Sequence, residues 1–210
     1  MKKIAVFDLD GTLIDSMERF EAGMLHVLLE EKISFPKDFI NVLTPLGYTK
    51  SAELFVEMGV QDSVNGIVSR IEKFLVNEYA NHIRLKPGVY DYVNKLKRDG
   101  AKLYVLTASP HIVTDICLKN NGIYDLFEQV WSVEDFGLSK SDVKIYYQVA
   151  QKIGCLPEEI HYYDDNYTAL INAGKAGYCT YGVLDRQTEQ DVLKVRESSQ
   201  FFVSSFKKLI

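Results

Sequence analysis

The chain has 210 residues, 47% of them hydrophobic and 25% charged, which suits a globular protein with one large domain or a core carrying an insert. No run approaches the ~20 apolar residues that span a membrane, and a net charge of -5 without a basic cluster argues against nucleic acid or anionic lipid as partners. Three scattered cysteines, Cys117, Cys155 and Cys179, lack CxxC spacing and argue against a disulfide framework or a structural zinc site.

The first apolar run, Lys3 to Leu9, is interrupted by Asp8 and followed by Asp10. It ends too early for a secretory signal, so a cytoplasmic home is expected. It reads as a buried parallel strand. Asp8-Leu9-Asp10-Gly11-Thr12 then falls where the strand should end. In open parallel sheets, ligands bind beyond the carboxyl ends of the strands. Two acids one residue apart cannot share a strand face, but they can converge once a turn begins, and Gly11 supplies the freedom for it. Asp8 could then attack phosphorus, and Asp10 could move protons to and from oxygen. The plainer reading is a solvated turn closing a strand.

From Ser16 to about Ile83 the strands stop. Phe20, Met24, Val27 and Leu28 form one apolar helical stripe, and Ile67, Ile71, Phe74 and Leu75 form another. A simple crossover needs only about a dozen residues. Residues 16–83 are therefore expected to form an all-helical insert, within a core of residues 1–15 and 84–210. Inside it, Pro45-Leu46-Gly47-Tyr48-Thr49-Lys50 is the most loop-like polar stretch.

After Pro87-Gly88, strand and helix alternate. Strands are expected at Lys102–Leu106, near Val130-Trp131, at Ile160–Tyr163, at Tyr178–Tyr181 and, at an edge, near Gln200–Val203. Helical spacing links Val89, Val93 and Leu96 before Gly100; Val143, Tyr147, Ala150 and Ile153 before Gly154; and Ala169, Ala173 and Ala176 before Gly177. This alternation implies an α/β core, a Rossmann-like parallel sheet with helices on both faces.

Three of these strand ends carry polar groups. Thr107-Ala108-Ser109-Pro110 suits a helix start, with Ser109 as N-cap and Pro110 in the first turn, where a phosphate would meet free N–H groups. Lys140, within Gly137–Asp142, could set a positive charge on a phosphate; Lys144 is its rival. Asp164-Asp165 would repel each other without a cation, and adjacent acids suit magnesium.

Taken in order, Asp8-Leu9-Asp10-Gly11-Thr12, Thr107, Lys140 and Asp164-Asp165 resemble the four motifs of the haloacid dehalogenase-like (HAD) phosphatase superfamily, from end to end of the chain. The helical insert is similar to the C1-type cap of phosphoglycolate phosphatases and beta-phosphoglucomutases. The resemblance implies that Asp8 forms an aspartyl-phosphate while Asp10 serves as general acid and then general base. It implies that Thr107, the Ala108 N–H and Lys140 hold phosphoryl oxygens. Magnesium is implied on Asp8, the Asp10 carbonyl and Asp165, with Asp164 a direct or indirect contributor. Two positions depart from the pattern: Ala169 stands where many members have an acid, and Ser141 where many capped members have a proline.

The implied activity is Mg2+-dependent hydrolysis of a small phosphorylated metabolite by a monomer or homodimer. Gly47, Tyr48 and Lys50 are expected to read the leaving group. A beta-phosphoglucomutase-like phosphomutase is the alternative. A signalling receiver domain also places acids, Thr and Lys at strand ends, but it is shorter and has no large insert. His111 is expected to be a helix-surface residue.

Overall fold

The computed structural model describes residues 4–43, 46–185 and 189–210. In chain order, β1 (Ile4–Phe7) precedes four helices: α1 (Met17–Glu30), α2 (Ile40–Leu43), α3 (Gly47–Glu57) and α4 (Val64–Asn81). Then come α5 (Val89–Arg98), β2 (Lys102–Thr107), α6 (His111–Asn120), β3 (Gln129–Ser132) and α7 (Lys144–Ile153). The chain continues through β4 (Ile160–Asp164), α8 (Tyr167–Lys175), β5 (Cys179–Val183), α9 (Glu189–Glu197) and β6 (Phe201–Val203). It divides into two compact units, Met1–Asp15 with Arg84–Ile210, and Ser16–Ile83.

In the first unit all six strands pair in parallel, in the order β3-β2-β1-β4-β5-β6. The short, nearly continuous apolar runs explain this, because such a sheet is covered on both faces. Ile4 and Val6, with Tyr104, Leu106, Ile160 and Tyr162 of the neighbouring strands, pack with Ile145 and Val149 of α7 and Leu170 and Ala173 of α8. On the other face, Phe7 stacks on Tyr163 at 4.5 Å, Tyr163 on Tyr181 at 4.4 Å and Tyr181 on Phe201 at 4.8 Å. These rings occupy registered positions on β1, β4, β5 and β6. Tyr92 of α5 covers this ladder, its hydroxyl 2.7 Å from that of Tyr163.

The helical stripe expected at Val143, Tyr147, Ala150 and Ile153 is rotated. Tyr147 is 49% exposed, whereas Ile145, Tyr146, Val149 and Ala150 are buried. Tyr146 wins the inner place because its ring meets those of Tyr162 and Tyr178 edge-on, and its main-chain carbonyl accepts from the Tyr178 hydroxyl at 2.6 Å.

In the second unit, α1 buries Met24, Val27 and Leu28, and α4 buries Ile67, Ile71 and Leu75. Phe20 and Phe74, placed in the same stripes, are only half-buried. The stretch expected to be a loop is instead the start of α3 from Gly47 onward, while Pro45 lies outside the described residues. Burial of Ala52 and Phe55, the latter 6.5 Å from the Phe39 ring, gives the segment an apolar side and favours the helix. Among the described residues no helix is long and apolar enough to cross a membrane.

Gly23 sits where α1 approaches α4, and a Cβ there would fall 2.4 Å from Leu75 Cδ2. Alanine gains about 1 kcal/mol of helix propensity over glycine, but overpacking a buried contact costs roughly 1–3 kcal/mol. Gly23→Ala should therefore lose about 1 kcal/mol of stability on balance in denaturant unfolding. A gain would mean that Leu75 repacks freely.

Candidate active site

The three central strands β2, β1 and β4 end side by side, and each delivers a polar group where its ladder stops. Thr107 closes β2, Asp8 follows β1 and Asp164 closes β4. The Asp8 N–H still donates to Tyr163 O at 2.8 Å, so the acid is held by the sheet itself. Strand order reverses between β1 and β4, the place where open α/β sheets form their crevice.

Asp8, Asp164 and Asp165 are buried, and one oxygen from each can be chosen so that all three lie within 4.8 Å of one another. One ammonium enters this group: Lys140 Nζ donates to Asp8 and, at 2.9 Å, to Asp164. Three carboxylates thus stand close together, with the Lys140 ammonium bonded to two of them. Burial is the largest influence on Asp8; Lys140 opposes it, Asp164 and Asp10 add to it, and the carboxyl is pushed up to about 7. Asp165 is pushed well above the carboxylate range, by burial and then by Asp164 and Asp8. Burial works against the Lys140 ammonium too, yet Asp164 and Asp8 outweigh it and raise its proton affinity. An all-oxygen donor set with surplus negative charge fits a hard divalent cation such as magnesium.

Neighbouring groups fix each acid. Both Asp164 oxygens already accept protein bonds: the Tyr162 hydroxyl at 2.5 Å and Lys140 on Oδ2, and the Asn166 N–H at 2.7 Å on Oδ1. This makes orienting Lys140 its most evident task. Asp165 accepts from Thr12 Oγ1 at 3.0 Å. Gly11, at φ 74°, lies so near Asp165 that a Cβ would fall 2.5 Å from its Oδ2. Only glycine satisfies both the turn and this approach.

Asp10 is half-buried, and its Oδ2 accepts from Ser109 Oγ at 2.6 Å. This corrects the expected N-cap: α6 begins at His111 behind an extended Pro110. Ser109 instead turns toward Asp10, with its N–H on Thr107 Oγ1 at 3.0 Å. Thr107 is buried and Ala108, directly after it, is exposed.

Of the two candidate lysines, Lys140 reaches the acids, while Lys144 is exposed on α7. The Lys140 carbonyl accepts from the Tyr146 hydroxyl at 3.0 Å, and the Ser141 carbonyl from Asn172 Nδ2 at 3.0 Å. His111 is 43% exposed and pairs with Asp135 at 3.0 Å and Asp115 at 3.4 Å, as a helix-surface residue would. Within the helical unit, Tyr48 is half-buried and Lys50 exposed, both in the first turn of α3.

The sequence points to no contact for Thr12, Tyr162, Asn166 or Asn172, and to none between Ser109 and Asp10. Tyr162 had a usable signal, since alternate residues of a strand share a face and it stands two before Asp164.

Together, fold and site define a Rossmann-like α/β protein whose central strand ends gather acids around a lysine. Residues 5–183 match the haloacid dehalogenase-like hydrolase family, and the chain belongs to it. It is 27% identical over 180 residues to pyrophosphatase PpaX of Bacillus velezensis, covering 85% of this chain and 81% of that protein. Among solved structures, CbbY from Rhodobacter sphaeroides in complex with phosphate superposes with a TM-score of 0.80 at 19% identity, covering 100% of this chain and 96% of that one. The beta-phosphoglucomutase of Clostridium difficile superposes with a TM-score of 0.77 at 17% identity, covering 100% and 94%.

The raised Asp8 group has a sign that can be tested. In the unfolded chain its proton leaves near about pH 4, but in the fold it stays until about 7. The fold therefore binds more protons across that window, and metal-free stability falls as pH rises through it. In chelator, the melting temperature should fall less steeply for Asp8→Asn than for the wild type. Equal slopes would show that Asp8 carries no such strain.

Proposed function

We propose that the protein is a magnesium-dependent phosphohydrolase of small phosphorylated compounds, working through an aspartyl-phosphate on Asp8. The observation that carries this reading is the meeting of Asp8, Lys140, Asp164 and Asp165 at the sheet's switch point. Family membership and the PpaX relative support hydrolysis of a phosphoanhydride or phosphoester.

In this scheme an Asp8 carboxylate oxygen bonds to phosphorus as the bond to the leaving oxygen breaks. Asp10 gives that oxygen its proton. Water then attacks phosphorus, Asp10 takes the water's proton, and the bond between phosphorus and Asp8 breaks to release inorganic phosphate. Ser109 holds the Asp10 carboxylate during both steps. Thr107, the Ala108 N–H and Lys140 orient the phosphoryl oxygens, and Lys140 also offsets charge on Asp8. Asp8, Asp165 and the Asp10 carbonyl would hold magnesium, with Asp164 contributing directly or indirectly; the ion supplies positive charge against the phosphoryl group.

The unit Ser16–Ile83 is proposed to act as a C1-type cap. Within it, Gly47, Tyr48 and Lys50, now placed in the first turn of α3, are proposed to read the leaving group. Transfer to a sugar would use the same catalytic set, and the likeness to beta-phosphoglucomutase favours keeping that second reading.

A panel of phosphorylated metabolites and pyrophosphate, assayed with magnesium for released phosphate, tests the proposal. Asp8→Asn should lower turnover by on the order of 10³-fold or more while the protein stays folded. Activity near wild type in that variant would end the nucleophile assignment. Isomerised sugar phosphate without free phosphate would select the mutase. Separately, Tyr48→Ala and Lys50→Ala should reorder substrate preference; an unchanged ranking would remove α3 from specificity.

A further inference from the structure

Outside the acidic cluster, Lys86, which no motif singled out, has a full set of partners. Its Nζ donates to Gly11 O, to Leu184 O at 2.8 Å and to Asp185 Oδ1 at 2.7 Å. An ammonium has three protons, so these partners use all of them. Both side chains are largely buried, Lys86 13% exposed and Asp185 only 3%. A surface ion pair would contribute little and hold nothing in place. This one is enclosed, and two of its three bonds go to main-chain carbonyls.

The partner that matters is Gly11, between Asp10 and Thr12. Lys86 holds this turn twice, because its own N–H also donates to Leu13 O at 2.9 Å. Beside it, Ile14 bridges Leu85, and the Asp15 N–H donates to Arg84 O at 3.0 Å. On its other side Gly11 lies against the Asp165 carboxylate, and Thr12 is bonded to the same acid. Displacing the Gly11 carbonyl would therefore shift Asp10 and disturb Asp165 together. From β5 and the residues after it, Leu184 and Asp185 fix where the Lys86 ammonium stands.

We propose that Lys86, anchored by Asp185, is a positioning residue that sets the Gly11 carbonyl and thereby the Asp8–Asp10 turn and Asp165 for phosphoryl transfer. The proposal rests on the phosphohydrolase reading of the Asp8 site. Lys86 is given no contact with phosphorus or leaving group; it acts through the main chain of the turn, and its charge and that of Asp185 also bear on Asp165 with opposite signs.

The test compares wild type with Lys86→Met/Asp185→Leu, which leaves neither charge buried alone and takes the Lys86 donor from the Gly11 and Leu184 carbonyls. Misplacing reacting groups, or loosening the shell behind metal ligands, costs on the order of ten- to hundredfold. The double variant should lose that factor in kcat with KM little changed. Its magnesium midpoint, read from the rise of melting temperature and so independent of turnover, should move up by about tenfold. Lys86→Arg, which restores a cation opposite Asp185, should recover part of kcat.

A folded double variant with kcat and magnesium midpoint both at wild-type values overturns the proposal. A fall in melting temperature alone, with kcat intact at saturating magnesium, makes the pair a mere structural tie and overturns it equally. Should the double variant not fold, Asp185→Asn, which leaves Lys86 its two carbonyls, carries the same two readouts. A wild type that turns over no phosphorylated compound defeats the activity reading, and the magnesium midpoint then still decides the role of Lys86.

Discussion

Like charge held out of water is the constraint from which the rest of the structure follows. Asp8, Asp164 and Asp165 crowd together, with Lys140 donating its ammonium protons to two of them. Burying carboxylates without compensation is expensive, and the fold accepts that cost here. It does so at the strand-order reversal, where parallel strands stop together and side chains from distant segments converge without bending a helix or breaking a ladder. Stability is given up locally for a site with a standing demand for positive charge, a pattern common where chemistry is done.

Around that centre each acid is held by different means. Asp164 is tied by a tyrosine hydroxyl, a lysine and a main-chain N–H; Asp165 by a threonine and a bare glycine; Asp10 by a serine. The Lys140 loop is in turn held from α7 and α8 through Tyr146 and Asn172. Such outer contacts decide whether reacting groups stand in place or wander by the fraction of an ångström that matters.

The sheet was readable because buried parallel strands are short apolar runs, as β1 and β2 are; β6, exposed at Phe201, is legible only as a short apolar stretch suited to an edge. The acids and Lys140 were readable because charge at the end of a buried apolar strand is costly unless a counter-charge or a ligand meets it. What sequence left hidden depends on tertiary geometry. Ser109 looks like a helix cap, and nothing local reveals that its hydroxyl finds Asp10 instead. Tyr146 and Tyr147 are the same residue type, and tertiary contacts with Tyr162, Tyr178 and the Lys140 carbonyl decide which turns inward. The start of α3 was obscured by Gly47, a poor helix residue outweighed by the burial of Ala52 and Phe55 further along.

The register of β1 has a bearing on how the chain reaches this state. Ile4 pairs with Lys102 on one side and with Ile160 on the other, so the central strand has no partner nearby in sequence. The helices of Ser16–Ile83 close shorter loops than these, even where α1 meets α4. The sheet must close long loops first, which slows such topologies. The residues that carry Asp8 thus come early in the sequence, yet their ladder is complete only once the distant β2 and β4 have been made. Until β2 and β4 are in place, this apolar strand has unpaired edges that are open to mispairing.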